Sequence, residues 1–149
     1  MRYEVDEKIT FMHKAMCKID KIYNTLLKQA KMTDSEFTML FYMIASGRDC
    51  TQKDIAENTY ISPKTLNSTV KKLEQKGIVE LKPGKYPFRY VKLTQKGIEY
   101  AKDNIIPVIE SERRTLENMP QADLDNIENL AIKYIRIFEQ SAGINSDEP

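Results

Sequence analysis

One stretch limits the fold more than any other: Ser62 to Lys92. Ser62-Pro63 is a helix start, because Ser caps free backbone N–H groups and Pro is preorganised for the first helical position. Leu66, Val70 and Leu73 follow at steps of four and three and make one apolar stripe. Gly77 is placed to stop the helix, with Ile78 packing back on its last turn. Ile78 to Lys82 and Arg89 to Leu93 then read as two strands, joined by a basic, aromatic loop, Pro83-Gly84-Lys85-Tyr86-Pro87-Phe88. A helix feeding a hairpin in this way is the outline of a winged helix-turn-helix.

Charge points the same way. The stretch holds eight basic and two acidic residues, a local +6 on a chain whose net charge is +1. The basic character is therefore concentrated, as expected for an element that meets nucleic acid. Lys64, Thr65, Asn67 and Ser68, in the first turns, are candidates for base edges, and Lys71 and Lys72 for phosphates. Ser62 caps this reading helix. Lys85, Tyr86 and Arg89 in the hairpin are candidates for the wing's contacts. The bland alternative is an amphipathic helix beside an edge hairpin, with lysines serving solubility.

Upstream, Thr33-Asp34-Ser35-Glu36 is a capping box opening a helix with Phe37, Leu40, Phe41 and Ile44 on one face. Ser46-Gly47 ends it. A second box, Thr51-Gln52-Lys53-Asp54, opens a short helix, and Asn58 to Ile61 turns into the Ser62 helix. Two short helices across a tight turn, the second basic, are a helix-turn-helix. Lys53, near the free N–H groups of its helix, suits a phosphate.

The ends of the chain are helical. Val5, Ile9, Met12, Met16, Ile19, Tyr23, Leu26 and Ala30 form a heptad seam with no Gly or Pro. Thr94 caps another helix carrying Ile98, Ala101, Ile105, Val108 and Ile109; Pro107 is expected to bend it rather than end it. A last helix runs from about Gln121 to Gln140, with Leu124, Ile127, Ala131, Tyr134 and Phe138 as its stripe. These arms carry more apolar surface than one small lobe can cover, so a twofold dimer is expected. The expected fold is mainly α with a small β-hairpin. A single domain spans 1–149, with a winged helix-turn-helix lobe over 33–93 and dimerisation helices over 5–31 and 95–140.

Several classes fall away. No apolar run approaches the ~20 residues of a membrane helix, and the acidic N-terminus is no signal peptide. Cys17 and Cys50 have no CxxC spacing, and the lone His13 makes no metal cluster, so neither metal nor cofactor is expected and a reducing cytoplasm is the simplest home. No phosphate loop or catalytic set argues for an enzyme. Inert thiols are the expectation, with Cys50 in a loop. Met12, Met16, Phe37 and Phe41 are open as a ligand pocket or as plain core.

The run Thr33 to Gly97 resembles the MarR family of winged-helix transcription regulators. Thr51, Asp54-Ile55-Ala56, Ile61-Ser62, Thr65-Leu66, Val70, Leu73-Glu74 and Lys76-Gly77-Ile78-Val79 follow its helix-turn-helix. Leu93-Thr94…Lys96-Gly97 is similar to its Leu-Thr-x-x-Gly phrase. The resemblance implies a homodimer on a near-palindromic operator, with reading helices in major grooves and wings in minor grooves. It implies a regulator, most often a repressor, released in many members by a small lipophilic ligand. One departure stands out: the family's wing commonly holds an Asp shortly before its Arg, whereas this wing reads Lys85-Tyr86-Pro87-Phe88-Arg89. The competing reading is a winged-helix module for protein contact, which would show no salt-sensitive DNA binding.

Overall fold

In the computed structural model, residues 5–84 and 89–144 are described. Among them the elements run α1 (Glu7–Gln29), α2 (Asp34–Ser46), β1 (Cys50–Thr51), α3 (Gln52–Thr59), α4 (Pro63–Gln75), β2 (Val79–Pro83), β3 (Arg89–Leu93), α5 (Gln95–Asn104), α6 (Ile106–Glu117) and α7 (Gln121–Ala142). The chain is mainly helical with a small antiparallel sheet, as expected. It divides into two compact units, Met1–Val108 and Ile109–Pro149.

The first unit holds the core. α2 buries Phe37, Met39, Leu40 and Met43, α3 buries Ile55, and α4 buries Leu66, Thr69, Val70 and Leu73. Ile78, Val79, Val91, Ala101, Ile105 and Val108 complete it from the hairpin, α5 and the start of α6. α2 is therefore buried over a wider arc than the expected Phe37–Ile44 face: Phe41 and Ile44 are half-buried, while Met39 and Met43 are inside.

The sheet has the order β1-β3-β2. Val79 faces Leu93 and Pro83 faces Arg89 across the hairpin, and Cys50 faces Val91 on the other edge. The hairpin's inner end, Val79 and Val91, is buried, while Lys82, Pro83 and Arg89 stand out at its far end. The third strand corrects the loop expected at Cys50. That side chain is buried, its thiol lying 3.3 Å from Arg48 O and 3.2 Å from Ser46 Oγ.

Capping residues behave as their chemistry demands. Thr33, Thr51, Ser62 and Thr94 each accept a backbone N–H of the turn they open. Gly77 takes φ +69, and behind it Ile78 N donates to Leu73 O at 2.9 Å, closing α4. α5 then docks on that closure. Thr94 Oγ1 donates to Gly77 O at 2.6 Å, Thr94 N donates to Ile78 O at 3.0 Å, and Lys96 Nζ donates to Lys76 O at 2.7 Å. A Cβ on Gly97 would lie 2.0 Å from Ile78 O, so only glycine permits this approach.

Pro107 does more than bend its helix. The segment stops at Asn104 and restarts at Ile106, with Ile105 as the break. Proline offers no N–H to the carbonyl four residues back, and its ring crowds that carbonyl, so the α ladder cannot pass through. Ile105 N still reaches Ala101 O at 2.8 Å, and Val108 N donates to Ile105 O, three residues back, at 3.0 Å.

The two end helices are under-covered. Val5, just before α1, and Ile9, Phe11, Met16, Ile19 and Ile22 along it are exposed, and of the helix only Leu27 is buried. α7 buries nothing, leaving Ile127, Leu130, Ile132, Ile135, Ile137 and Phe138 exposed. No described residue beyond Val108 is buried. No described helix is long and apolar enough to cross a membrane.

Candidate nucleic-acid interface

The turn between α3 and α4 is three residues long, Tyr60 to Ser62. Ser62 Oγ accepts Thr65 N at 3.2 Å and lies 2.9 Å from Thr65 Oγ1, so the cap also orients the first turn's hydroxyls. Residues 63–72 of α4 include no acid. At about 100° per residue, the buried stripe of Leu66, Thr69, Val70 and Leu73 puts Lys64, Asn67, Ser68 and Lys71 on the opposite side. All four are exposed. Lys64 and Lys71 form no ion pair among the described residues. Two cations flanking an amide and a hydroxyl give donors for base edges and charge for phosphates on one face.

The flank of α4 is different. Thr65, Thr69, Lys72 and Lys76 share the side that leads to α2. Glu36 waits there with only 1 % of its surface exposed. Its Oε2 accepts Thr33 N at 2.8 Å and Thr33 Oγ1 at 2.9 Å. Its Oε1 accepts Lys76 Nζ at 2.9 Å and lies 3.3 Å from Lys72 Nζ. Burial pushes this carboxyl's pKa up, but Lys76, the Thr33 bonds and Lys72 outweigh it and hold the pKa at about 2. Glu36 is thus an ionised, fully partnered carboxylate inside the lobe. The sequence offered it only as a cap.

Other cations are also engaged. Lys53 pairs with Glu57 at 3.6 Å on the exposed side of α3. Arg48 lies 3.7 Å from Asp54, Lys82 3.0 Å from Glu80, and Lys92 3.7 Å from Asp49. Thr51's N–H and hydroxyl, bonded to the Asp54 carboxylate and backbone, hold that carboxyl below its usual pKa. Such exposed pairs are weak and salt-screened, so Lys53 remains free to exchange Glu57 for a phosphate. Arg89 is exposed at the outer end of β3 with no ion pair among the described residues. Lys85 and Tyr86 lie outside the described residues.

Tyr60 escaped sequence reasoning. It takes φ +56 in the helix-turn-helix turn and is 93 % exposed. A bulky residue in the left-handed region gives no sequence signal, since glycine or asparagine is the usual occupant. The four ligand-pocket candidates divide. Phe37 and Phe41 belong to a run of rings with Tyr23, at centroid separations of 6.1 Å and 5.8 Å. Met12 is half-buried and Met16 exposed on α1. A shallow depression on α1, lined by Lys18, Lys21, Ile22, Thr25 and Leu26, includes none of the four. His13 Nδ1 and Cys17 Sγ lie 3.4 Å apart on the exposed side of that helix. No grouping of three or more metal-binding side chains occurs among the described residues.

Residues 30–85 match the model of the MarR family. That stretch, from α2 into the hairpin, is similar to the corresponding part of the family. The fold is that of MarR-family transcription regulators, and it extends over nearly the whole chain. The Neisseria meningitidis MarR-family regulator NMB1585 is similar with a TM-score of 0.79 at 18% identity, over 93% of this chain and 98% of its own. Staphylococcus aureus MepR, solved as a DNA complex, gives 0.70 at 18%, over 91% and 99%. NadR, solved with 4-hydroxyphenylacetate, gives 0.69 at 17%, over 90% and 96%. At such identities the likeness is one of fold. No curated protein sequence matches the chain.

Proposed function

We propose that the protein is a sequence-specific DNA-binding transcription regulator, acting as a homodimer on a near-palindromic operator and repressing from it. The observation that carries this is the outward face of α4: Lys64, Asn67, Ser68 and Lys71, exposed together, with no acid from Pro63 to Lys72. A helix of this character fits a major groove, with Lys53 and Ser62 reaching the flanking backbone and the wing, from Lys85 and Tyr86 to Arg89, lying alongside. MepR's structure as a DNA complex supports the choice of ligand.

The exposed apolar surfaces of α1 and α7 support the dimer, since a lone chain leaves many large side chains in water. A second copy would cover them and present two α4 helices. Because NadR takes 4-hydroxyphenylacetate, a small aromatic effector is the class to test first. It would act by binding one spacing of the two reading helices better than the other.

In vitro selection from a random duplex pool tests the reading. The expected product is a motif with twofold symmetry and half-sites about one turn, ~34 Å, apart. A motif without symmetry would refute the dimer; failure to enrich any motif would refute specific DNA binding.

A further inference from the structure

The carboxylate of Glu36 sits where a regulator's reading helix meets its scaffold, and it is bonded on both sides. On α2 it closes the capping box with Thr33. On α4 it receives Lys76 and Lys72, which lie one turn apart on the flank toward α2. A further contact on the same flank places Thr69 Oγ1 3.2 Å from Ser35 Oγ. The opposite end of α4 is held differently, by the Ser62 cap and the buried Leu66, with no ion pair among the described residues. The buried stripe of Leu66, Val70 and Leu73 sets which side of α4 faces outward, and this buried acid and its neighbours add polar contacts on one flank that hold that rotation.

We propose that Glu36 is a positioning residue for DNA readout, locking α4 through Lys76 and Lys72 and withholding Lys72 from the phosphates. The inference rests on the DNA-binding reading above. It divides two adjacent lysines: Lys71, outward with no ion pair among the described residues, serves the nucleic acid, and Lys72 serves the fold. Sequence alone treats them as equivalent.

A further consequence separates this role from plain stability. Glu36→Gln keeps a hydrogen-bonding side chain of the same size at the cap but removes the charge that retains the lysines. Lys72 is then free to swing to the backbone of the DNA. General affinity should rise at low salt while operator preference falls.

The experiment is fluorescence anisotropy on a selected operator and a scrambled duplex, over a range of salt, with wild type, Glu36→Gln, Lys71→Met and Lys72→Met. For Glu36→Gln the expected result is a plot of log affinity against log salt steeper by up to ~1.8 for a dimer gaining one phosphate contact per protomer. The operator-to-scrambled ratio should fall by about ten-fold, as for one misplaced base contact in the site. Lys71→Met should flatten the slope by a similar amount, and Lys72→Met should leave it near the wild-type value. A purely structural Glu36 would lower both affinities together through the folded fraction, leaving slope and ratio unchanged. Should Glu36→Gln fail to fold, the two lysine variants decide: equal flattening by both overturns the inference. Wild-type binding with unchanged slopes and ratio in Glu36→Gln also overturns it. Absence of any salt-sensitive binding by the wild type overturns the DNA reading, and this inference falls with it.

Discussion

Gly97→Ala is the substitution whose sign ordinary helix chemistry gets wrong. Gly97 lies in the first turns of α5, where alanine should stabilise by about 1 kcal/mol. Its Cβ, however, would lie 2.0 Å from Ile78 O, 3.0 Å from Ile78 C and 3.2 Å from Leu93 Cδ2. An ordinary carbon–oxygen approach is about 3.3 Å, so the start of α5 must retreat by roughly 1.3 Å. Backbone stands on both sides of the contact, and no flexible side chain can yield instead. That retreat strains the bonds from Thr94 to Gly77 and Ile78 and from Lys96 to Lys76. Two lost bonds at about 1 kcal/mol each, plus about 1–3 for overpacking, outweigh the propensity gain. The net expectation is a loss of about 2–4 kcal/mol. Urea denaturation followed by circular dichroism would record it as a midpoint lower by about 1–2 M, given slopes of ~2 kcal/mol/M for small domains. A variant as stable as the wild type, or more stable, would refute the claimed docking of α5 on the end of α4.

Three further outcomes follow from the same contacts. Glu36, with its folded pKa held at about 2 against 4.5, contributes stability that is complete above about pH 5 and drains away as pH falls toward 2. The shift corresponds to about 3 kcal/mol, reduced by solvent around the half-exposed lysines; denaturation midpoints measured at pH 6 and pH 3 should differ far less in Glu36→Gln than in wild type, and identical pH dependence would count against the ionised clamp. Thr51→Ala removes the side chain that accepts Asp54 N and should cost about 1 kcal/mol in the same urea assay; no change would mean that α3 does not rely on its cap. Ile135→Glu, on the uncovered surface of α7, should convert a dimer to single chains in analytical ultracentrifugation; an unchanged mass would remove that surface from the interface.

Much of the lobe was legible because its punctuation is local. Thr33, Thr51, Ser62 and Thr94 mark helix starts through bonds to residues three positions on, and Gly77 marks a stop through its own φ. The stripe Leu66, Val70, Leu73 fixed the outward face of α4 by periodicity alone. What escaped depends on partners far along the chain. Glu36 meets Lys72 and Lys76, 36 and 40 residues later, so nothing near it announces a buried acid. β1 is two residues long and exists only because β3 supplies its other half. Pro107 showed where the helix is disturbed, but whether the ladder bends or stops depends on how Ile105 and Val108 pack, and both are buried. Lys71 and Lys72 are alike in sequence and are divided by the 100° between neighbouring helical positions.

The central claim is that the outward face of α4 reads bases in duplex DNA. Its most direct test is the affinity of wild type, Lys64→Ala and Asn67→Ala for a selected operator and for every single-base variant of it. Each substitution should erase discrimination of about 1–3 kcal/mol at one symmetric pair of positions and leave the other positions unaltered. A loss spread evenly over all sequences, or no loss at all, would contradict it.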